Sequence, residues 1–457
     1  MLRYFHLENW KSFREAATLD MVATREQRDG DTLAHVHPPK ARILPTAAIY
    51  GANAAGKSGL VEAINALQQI VLDDRGDKAL LPVAPSYHND PALPTTLEVE
   101  FIAVSPAPDT PENDSSEGRQ PTGDTTYRYT LVATRKEILS ESLVHVRASS
   151  ERDVFFREGP EVELSRELSA DPRTRTFADT VEGNETLLRR LAVRDLVGTE
   201  HVSAAFEWFH DRLRVVLPES FSIRMPTRLR TDTVYRNAMS TALSEADTGI
   251  RALEFEEVSL GLTGLSDAEL AEMEERLLED GGQWLLATRE GRLLILELKE
   301  GRVSAEELVT RHVAERGDFR LSLQDESDGT VRYFQLLPAL QELTDPDAAP
   351  VYVIDELDRS LHSALAAQLV QQFLNKSTNS SRAQFIFTTH DTSLIRRDLL
   401  RRDEIWFVGK ERLEGSEGTT SELVRLSDLS RWGIRDSTDV FNMYLAGALP
   451  GTPELVA

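Results

Sequence analysis

The chain has no cysteine, so no disulfide can cross-link it, whereas secreted chains of this size often carry such links. It also lacks any run of eighteen apolar residues that would cross a bilayer as a helix. No charged segment followed by an apolar one opens it, as an export leader would. These absences exclude membrane-embedded function classes from the expectations and make the cytoplasm the expected compartment. Basic residues are outnumbered, with 51 Lys and Arg against 76 Asp and Glu, a net charge of -25. This balance argues against a general positive field that coats nucleic acid. It does not exclude local basic strips. Arg189, Arg190 and Arg194 are one candidate, and Arg396, Arg397, Arg401 and Arg402 are another; both also read as solvated helix faces. Internal repeats and long heptad arrays are missing too, which excludes a solenoid or a long coiled-coil arm.

What remains is a chain of 457 residues, long enough for two or three domain-sized units. Strand patterns open it at Leu2–Leu7 and Ala47–Tyr50 and continue at Leu97–Val104 and Tyr127–Ala133. Residues 105–126, rich in Pro, Asp, Ser, Gly and Thr, bury little apolar surface and read as a disordered loop at a hairpin tip. From about Ser165 the pattern turns helical. Ser266 to Glu269 is a capping box in sequence, with Leu270, Met273 and Leu277 on one face and Gly281 at the stop. Strands follow at Trp284–Ala287 and Leu293–Leu298. The expected organisation is one α/β unit split in sequence: residues 1–164, a helical insertion over 165–282, and residues 283–457.

The strongest motif is Gly51-Ala52-Asn53-Ala54-Ala55-Gly56-Lys57-Ser58, a complete G-x-x-x-x-G-K-[ST], followed by Gly59. It lies between an apolar strand ending at Tyr50 and a helix with Leu60, Ile64, Leu67 and Val71 on one face. Such a loop curls its backbone N–H groups around phosphate oxygens, and the helix N-terminus adds its dipole. Lys57 is expected to reach the β- and γ-phosphates of ATP, and the Ser58 hydroxyl to hold Mg²⁺. Three hundred residues later, Val351 to Ile354 is an apolar strand ending in Asp355 and Glu356. Asp355 is the second candidate for Mg²⁺, and Glu356 for polarising the attacking water. A third strand, Gln384–Thr389, runs into His390, at the strand end where α/β sheets place ligands. His390 is the candidate sensor of the γ-phosphate. Finally, Ser327 and Gly329 stand before the helix Tyr333–Leu343, where they offer a hydroxyl and backbone N–H groups to an anion or simply cap the helix.

These pieces, in this order, resemble an ABC-type ATPase head of the SMC/RecF-like kind, and more closely the bacterial AAA-family ATP/GTP phosphatases found beside nucleases in phage-defence operons. Asn9-Trp10-Lys11-Ser12-Phe13 resembles their opening turn, Glu326 to Thr330 with Arg332 their signature, and Glu356 to His362 their D-loop. Arg402 to Val408 and Tyr444 to Gly447 extend the resemblance toward the carboxyl end. The resemblance implies a P-loop NTPase head of ABC type, a mixed and mainly parallel sheet with an antiparallel β-subdomain and a helical insertion. It implies ATP hydrolysis with Mg²⁺ in a homodimer or higher homo-oligomer, in which two heads sandwich two ATP molecules. Ser327 and Gly329 then meet the γ-phosphate of the second copy. No Leu-Ser-Gly-Gly-Gln is present, against a membrane transporter subunit. A Q-loop glutamine is not assigned; Leu81–His88 is the stretch where one is sought. Glu297-Leu298-Lys299 has the spacing of a nuclease half-site but lacks an upstream acid, and only about seventy residues follow His390, too few for a fused nuclease domain. The leading expectation is an ATPase that senses an invader and controls a separate effector such as a nuclease. The alternatives are a RecF-like repair ATPase that binds DNA directly and a partner-binding platform timed by slow turnover.

Overall fold

Two sheets carry most of the first strands the sequence announces. The computed structural model describes residues 1–26, 28–37, 39–73, 80–104, 124–218, 224–280, 282–289, 291–315, 317–412, 418–432 and 440–452. The chain divides into two compact units. One comprises Met1–Pro218, Leu343–Leu357 and Ala367–Ala457; the other comprises Glu219–Glu342 and Asp358–Ala366.

In the first unit, a six-stranded sheet has the spatial order Leu213–Val216, Val351–Ile354, Gln384–Thr388, Thr46–Tyr50, Ile405–Arg412, Thr419–Arg425. The first five strands run parallel and the last is antiparallel. Val351–Ile354, Gln384–Thr388 and Thr46–Tyr50 are buried throughout, and they read in sequence as continuous apolar runs, as strands covered on both faces do. Register matters here. Ile354 pairs with Phe387, and Thr388 pairs with Ile49, so the carboxyl ends of three strands distant in sequence finish side by side. A second, seven-stranded antiparallel sheet runs in the order Glu161–Leu164, Glu151–Glu158, Ile138–Val146, Asp124–Ala133, Thr95–Val104, Leu2–Glu8, Ala17–Asp20.

Helix Lys57–Leu72 buries Leu60, Ile64, Leu67 and Val71, the four residues whose spacing predicts its apolar face, with Val61 and Ile70. At roughly 1.5–3 kcal/mol per buried aliphatic side chain, this face anchors the loop that precedes it. Gln68 Nε2 fastens the far side by donating to the carbonyls of Phe209 and Leu213. Nearby, Phe101 stacks on Trp208 with ring centroids 4.3 Å apart.

The second unit is built on a five-stranded antiparallel sheet, Ile250–Val258, Arg302–Ala314, Leu293–Lys299 and Gln283–Ala287 in order, with Gly317–Ser322 also on Arg302–Ala314. Helices Arg224–Thr231, Thr233–Glu245 and Asp267–Asp280 accompany it. The capping box forms: Glu269 Oε2 accepts from the Ser266 N–H at 2.7 Å, and Ser266 Oγ accepts from the Glu269 N–H at 3.4 Å.

The division differs from the organisation expected from sequence. Residues 165–218 belong to the first unit, and strand Leu213–Val216 pairs with Val351–Ile354. Four residues are too few to show a period. Residues 283–342 belong with 219–282, and the unit they form joins a five-stranded sheet to helices. Its strand Ile250–Val258 carries a register shift between Ile250 and Ala252, and such an irregularity breaks the two-residue alternation by which strands are read. Of the loop expected at 105–126, residues 105–123 lie outside the described residues, while Asp124–Thr126 already belong to strand Asp124–Ala133, paired with Thr95–Val104.

Candidate nucleotide site

The phosphate loop follows directly on the buried strand ending at Tyr50. Its curl needs two left-handed residues, Ala54 at φ 59° and Gly56 at φ 119°. At Gly56 a Cβ would lie 2.6 Å from Ser421 Oγ and 2.7 Å from Ser12 Oγ, so glycine is required both by conformation and by space. At Gly51 a Cβ would lie 2.6 Å from the Val408 carbonyl. Gly56 is the N-cap of helix Lys57–Leu72 and offers no side-chain cap. The N–H groups of a first turn without a side-chain cap are donors for an anion. The Lys57 ammonium is buried and donates to the carbonyls of Gly51 at 2.8 Å and Ala52 at 3.3 Å, so the cation lies across the loop itself.

Asp355 and Glu356 follow the next strand but one. Asp355 is 2% exposed and its N–H donates to the Val216 carbonyl at 2.9 Å. Glu356 takes φ 51°, a left-handed turn that costs a non-glycine residue roughly 1–2 kcal/mol and breaks the strand direction at this residue. One buried side chain ties these two to the neighbouring strand. Thr388 Oγ1 donates to Asp355 Oδ1 at 2.5 Å and accepts from the Glu356 N–H at 2.8 Å. The Thr388 carbonyl accepts from Leu357 N–H at 3.0 Å, and the Thr389 N–H donates to Ile49 at 3.0 Å. Thr388 is fully buried. The sequence reading passes over it because a threonine at the end of an apolar strand carries no signal until its register partner is known.

Asn53, Ala54, Ala55, Gly56, Lys57, Ser58, Gly59, Glu356 and His390 line one cavity of about 600 Å³, with Lys11, Ser12, Glu62 and Tyr87. Glycines, a lysine, an uncapped helix start, a carboxylate and an imidazole in one cavity match a polyphosphate and a water attacking it. Ser58 and Asp355 are hard oxygen donors, the kind Mg²⁺ takes.

Ser327 and Gly329 belong to the second unit. Ser327 Oγ accepts from the Thr330 N–H at 3.1 Å and lies 2.9 Å from Thr330 Oγ1, capping helix Asp328–Leu343. A Cβ on Gly329 would lie 2.6 Å from the Ser360 carbonyl, so the first turn of this helix presses on the segment after Glu356. Glu326 accepts from Thr310 Oγ1 at 2.5 Å and lies 2.6 Å from His312 Nε2.

Other motifs have structural employment. Arg189 and Arg190 pair with Glu185, and Arg194 lies over Phe177. Arg396 pairs with Asp398, and Arg401 is buried on Asp403. Within the nuclease-like spacing, Glu297 meets Arg230, and Lys299 meets Glu306. Leu81–His88 contains no glutamine, but it contributes Tyr87 to the cavity. Tyr444 stacks on Phe407, centroids 5.5 Å apart.

Among solved structures, the chain is similar to the SMC head domain from Thermotoga maritima, at 15% identity over 93% of this chain and 98% of that one, with a TM-score of 0.35. It is similar to the SMC head bound to the C-terminal winged-helix domain of ScpA, at 13% identity over 93% and 99%, TM-score 0.38. It is also similar to the recombination mediator RecF with ATPγS, at 12% identity over 93% and 98%, TM-score 0.31. No curated protein matches the sequence. The family described as "AAA domain, putative AbiEii toxin, Type IV TA system" matches residues 47–396. That span runs from the phosphate-loop strand past His390 and covers most of the chain, and the protein belongs to this AAA-domain family.

Proposed function

We propose that the protein hydrolyses ATP and that two copies close head to tail around the nucleotides. The observation that carries this reading is the shared cavity: the phosphate loop, Glu356 and His390 line the same space. In this reading the 51–59 loop and Lys57 bind the β- and γ-phosphates. Glu356 accepts a proton from the attacking water, and its backbone, held by Thr388, limits where the carboxylate reaches. His390 donates to the γ-phosphate and registers its presence. Ser58 and Asp355 would hold Mg²⁺, which when bound offsets phosphate charge. Ser327 and Gly329 of one copy would meet the γ-phosphate of the other, which gives a use to a capped helix start outside the unit that holds Lys57.

Closure on ATP and release on hydrolysis would then switch a separate effector, such as a nuclease, in defence against phage. The family's own description, a toxin of a toxin–antitoxin system, is a two-component arrangement, which supports a partner encoded apart from this chain. Direct DNA binding finds less support, because Arg189, Arg190, Arg194, Arg396 and Arg401 of the candidate strips are engaged with acids or an aromatic ring. The test is Glu356→Gln. Turnover should fall by about 100-fold or more with ATP affinity kept, and an ATP-loaded dimer should accumulate in size-exclusion chromatography. Equal turnover in the variant and the parent protein would refute the assignment.

A further inference from the structure

The phosphate end of the cavity accounts for its loop, carboxylate and imidazole, but not for Tyr87. This side chain lines the same cavity and is 75% exposed, so a large aromatic ring stands in water beside a polar cradle. Its backbone is not loose. The Tyr87 N–H donates to the Lys11 carbonyl at 3.0 Å, and the Lys11 N–H donates to Ala84 at 2.8 Å. Asn9 Oδ1 accepts from Ser86 N–H at 3.0 Å and from Asn89 Nδ2 at 2.7 Å. The Asn9–Lys11 turn, with φ 56° and 47° at its two ends, is pinned to the phosphate-loop helix by Trp10 Nε1, which donates to the Gly59 carbonyl at 2.7 Å. The backbone that carries the ring is therefore held, through a short chain of hydrogen bonds, to the helix that follows the 51–56 loop. An exposed aromatic ring on an anchored backbone offers its face to a stacking partner at a reduced ordering cost.

We propose that Tyr87 stacks on the base of the bound nucleotide and forms the base end of the site. The inference rests on the nucleotide reading of the cavity. Every base has a π-face, so the platform holds adenine and guanine alike.

The experiment compares ATP, GTP and inorganic tripolyphosphate binding to the full chain by calorimetry, in the parent protein, Tyr87→Ala, Tyr87→Phe and Lys57→Ala. Tyr87→Ala should weaken ATP and GTP roughly tenfold, leave tripolyphosphate affinity unchanged, and leave the melting temperature of the nucleotide-free protein unchanged. Tyr87→Phe should bind as the parent does, because the ring face and not the hydroxyl is used. Equal loss of ATP and tripolyphosphate in Tyr87→Ala, or no loss of either, would overturn the assignment. So would unchanged ATP binding with a changed ATP-dependent dimer fraction, which would make Tyr87 a contact between copies. Lys57→Ala separates the two readings: it should weaken all three ligands, and if it weakens none the phosphate site itself is misassigned.

Discussion

Replacing Thr388 by valine tests the idea that two chain segments far apart in sequence share one catalytic geometry. Valine keeps the shape and removes the hydroxyl. Two hydrogen bonds then vanish from a fully buried position, one donated to the Asp355 carboxylate at 2.5 Å and one accepted from the Glu356 N–H at 2.8 Å. A neutral bond contributes about 1 kcal/mol and one to a charged group about 1.5–3 kcal/mol, so the loss is roughly 2–4 kcal/mol. The first unit holds about 320 residues, and at about 2.1 cal/mol/K of unfolding entropy per residue that loss lowers the melting temperature by about 3–6 °C. Turnover should fall further than stability suggests, by about 10- to 100-fold, the range seen when a group that orients a ligand residue is removed. Thr388→Ser, which retains the hydroxyl, should restore most of both. Melting curves and phosphate release measured on the same preparations decide the matter. A valine variant that melts and turns over like the parent would show that Thr388 does not hold Asp355 and Glu356.

Gly329→Ala would put a Cβ 2.6 Å from the Ser360 carbonyl, and because backbone must yield, a destabilisation of about 1–3 kcal/mol should appear in the melting curve of the full chain; an unshifted curve would mean the two segments do not press together. Burial, with the neighbouring His201, Arg147 and Arg152, pushes the His145 imidazole down to about 4 from its ordinary 6.5. Between those values the unfolded chain takes up a proton that the folded chain refuses, so stability falls as pH drops from about 6.5 to about 4. His145→Phe removes that group; its urea midpoint should fall less between pH 7 and pH 5 than the parent's, and identical shifts would refute the assignment.

Local structure was legible without coordinates. Gly51 to Gly59 and Val351 to Glu356 each hold their information in consecutive residues, where a strand, a turn and the next side chains are set by neighbours within one or two turns of chain. The same holds for the helix face of Leu60, Ile64, Leu67 and Val71, and for the capping box at Ser266. Other features depended on residues that meet only after folding. Thr388 meets Asp355 because strand Gln384–Thr388 pairs beside Val351–Ile354, and Ser12 and Ser421 close on Gly56 from opposite ends of the chain. Tyr87 lines the cavity from a segment held by its own N–H on Lys11 and by the Ser86 N–H on Asn9, and strand Leu213–Val216 is too short to show the period that would have placed it in the first unit. Sequence pattern reports what a segment prefers by itself, whereas sheet register and long-range hydrogen bonds are set by which segments exclude water together, and only the tertiary structure decides that.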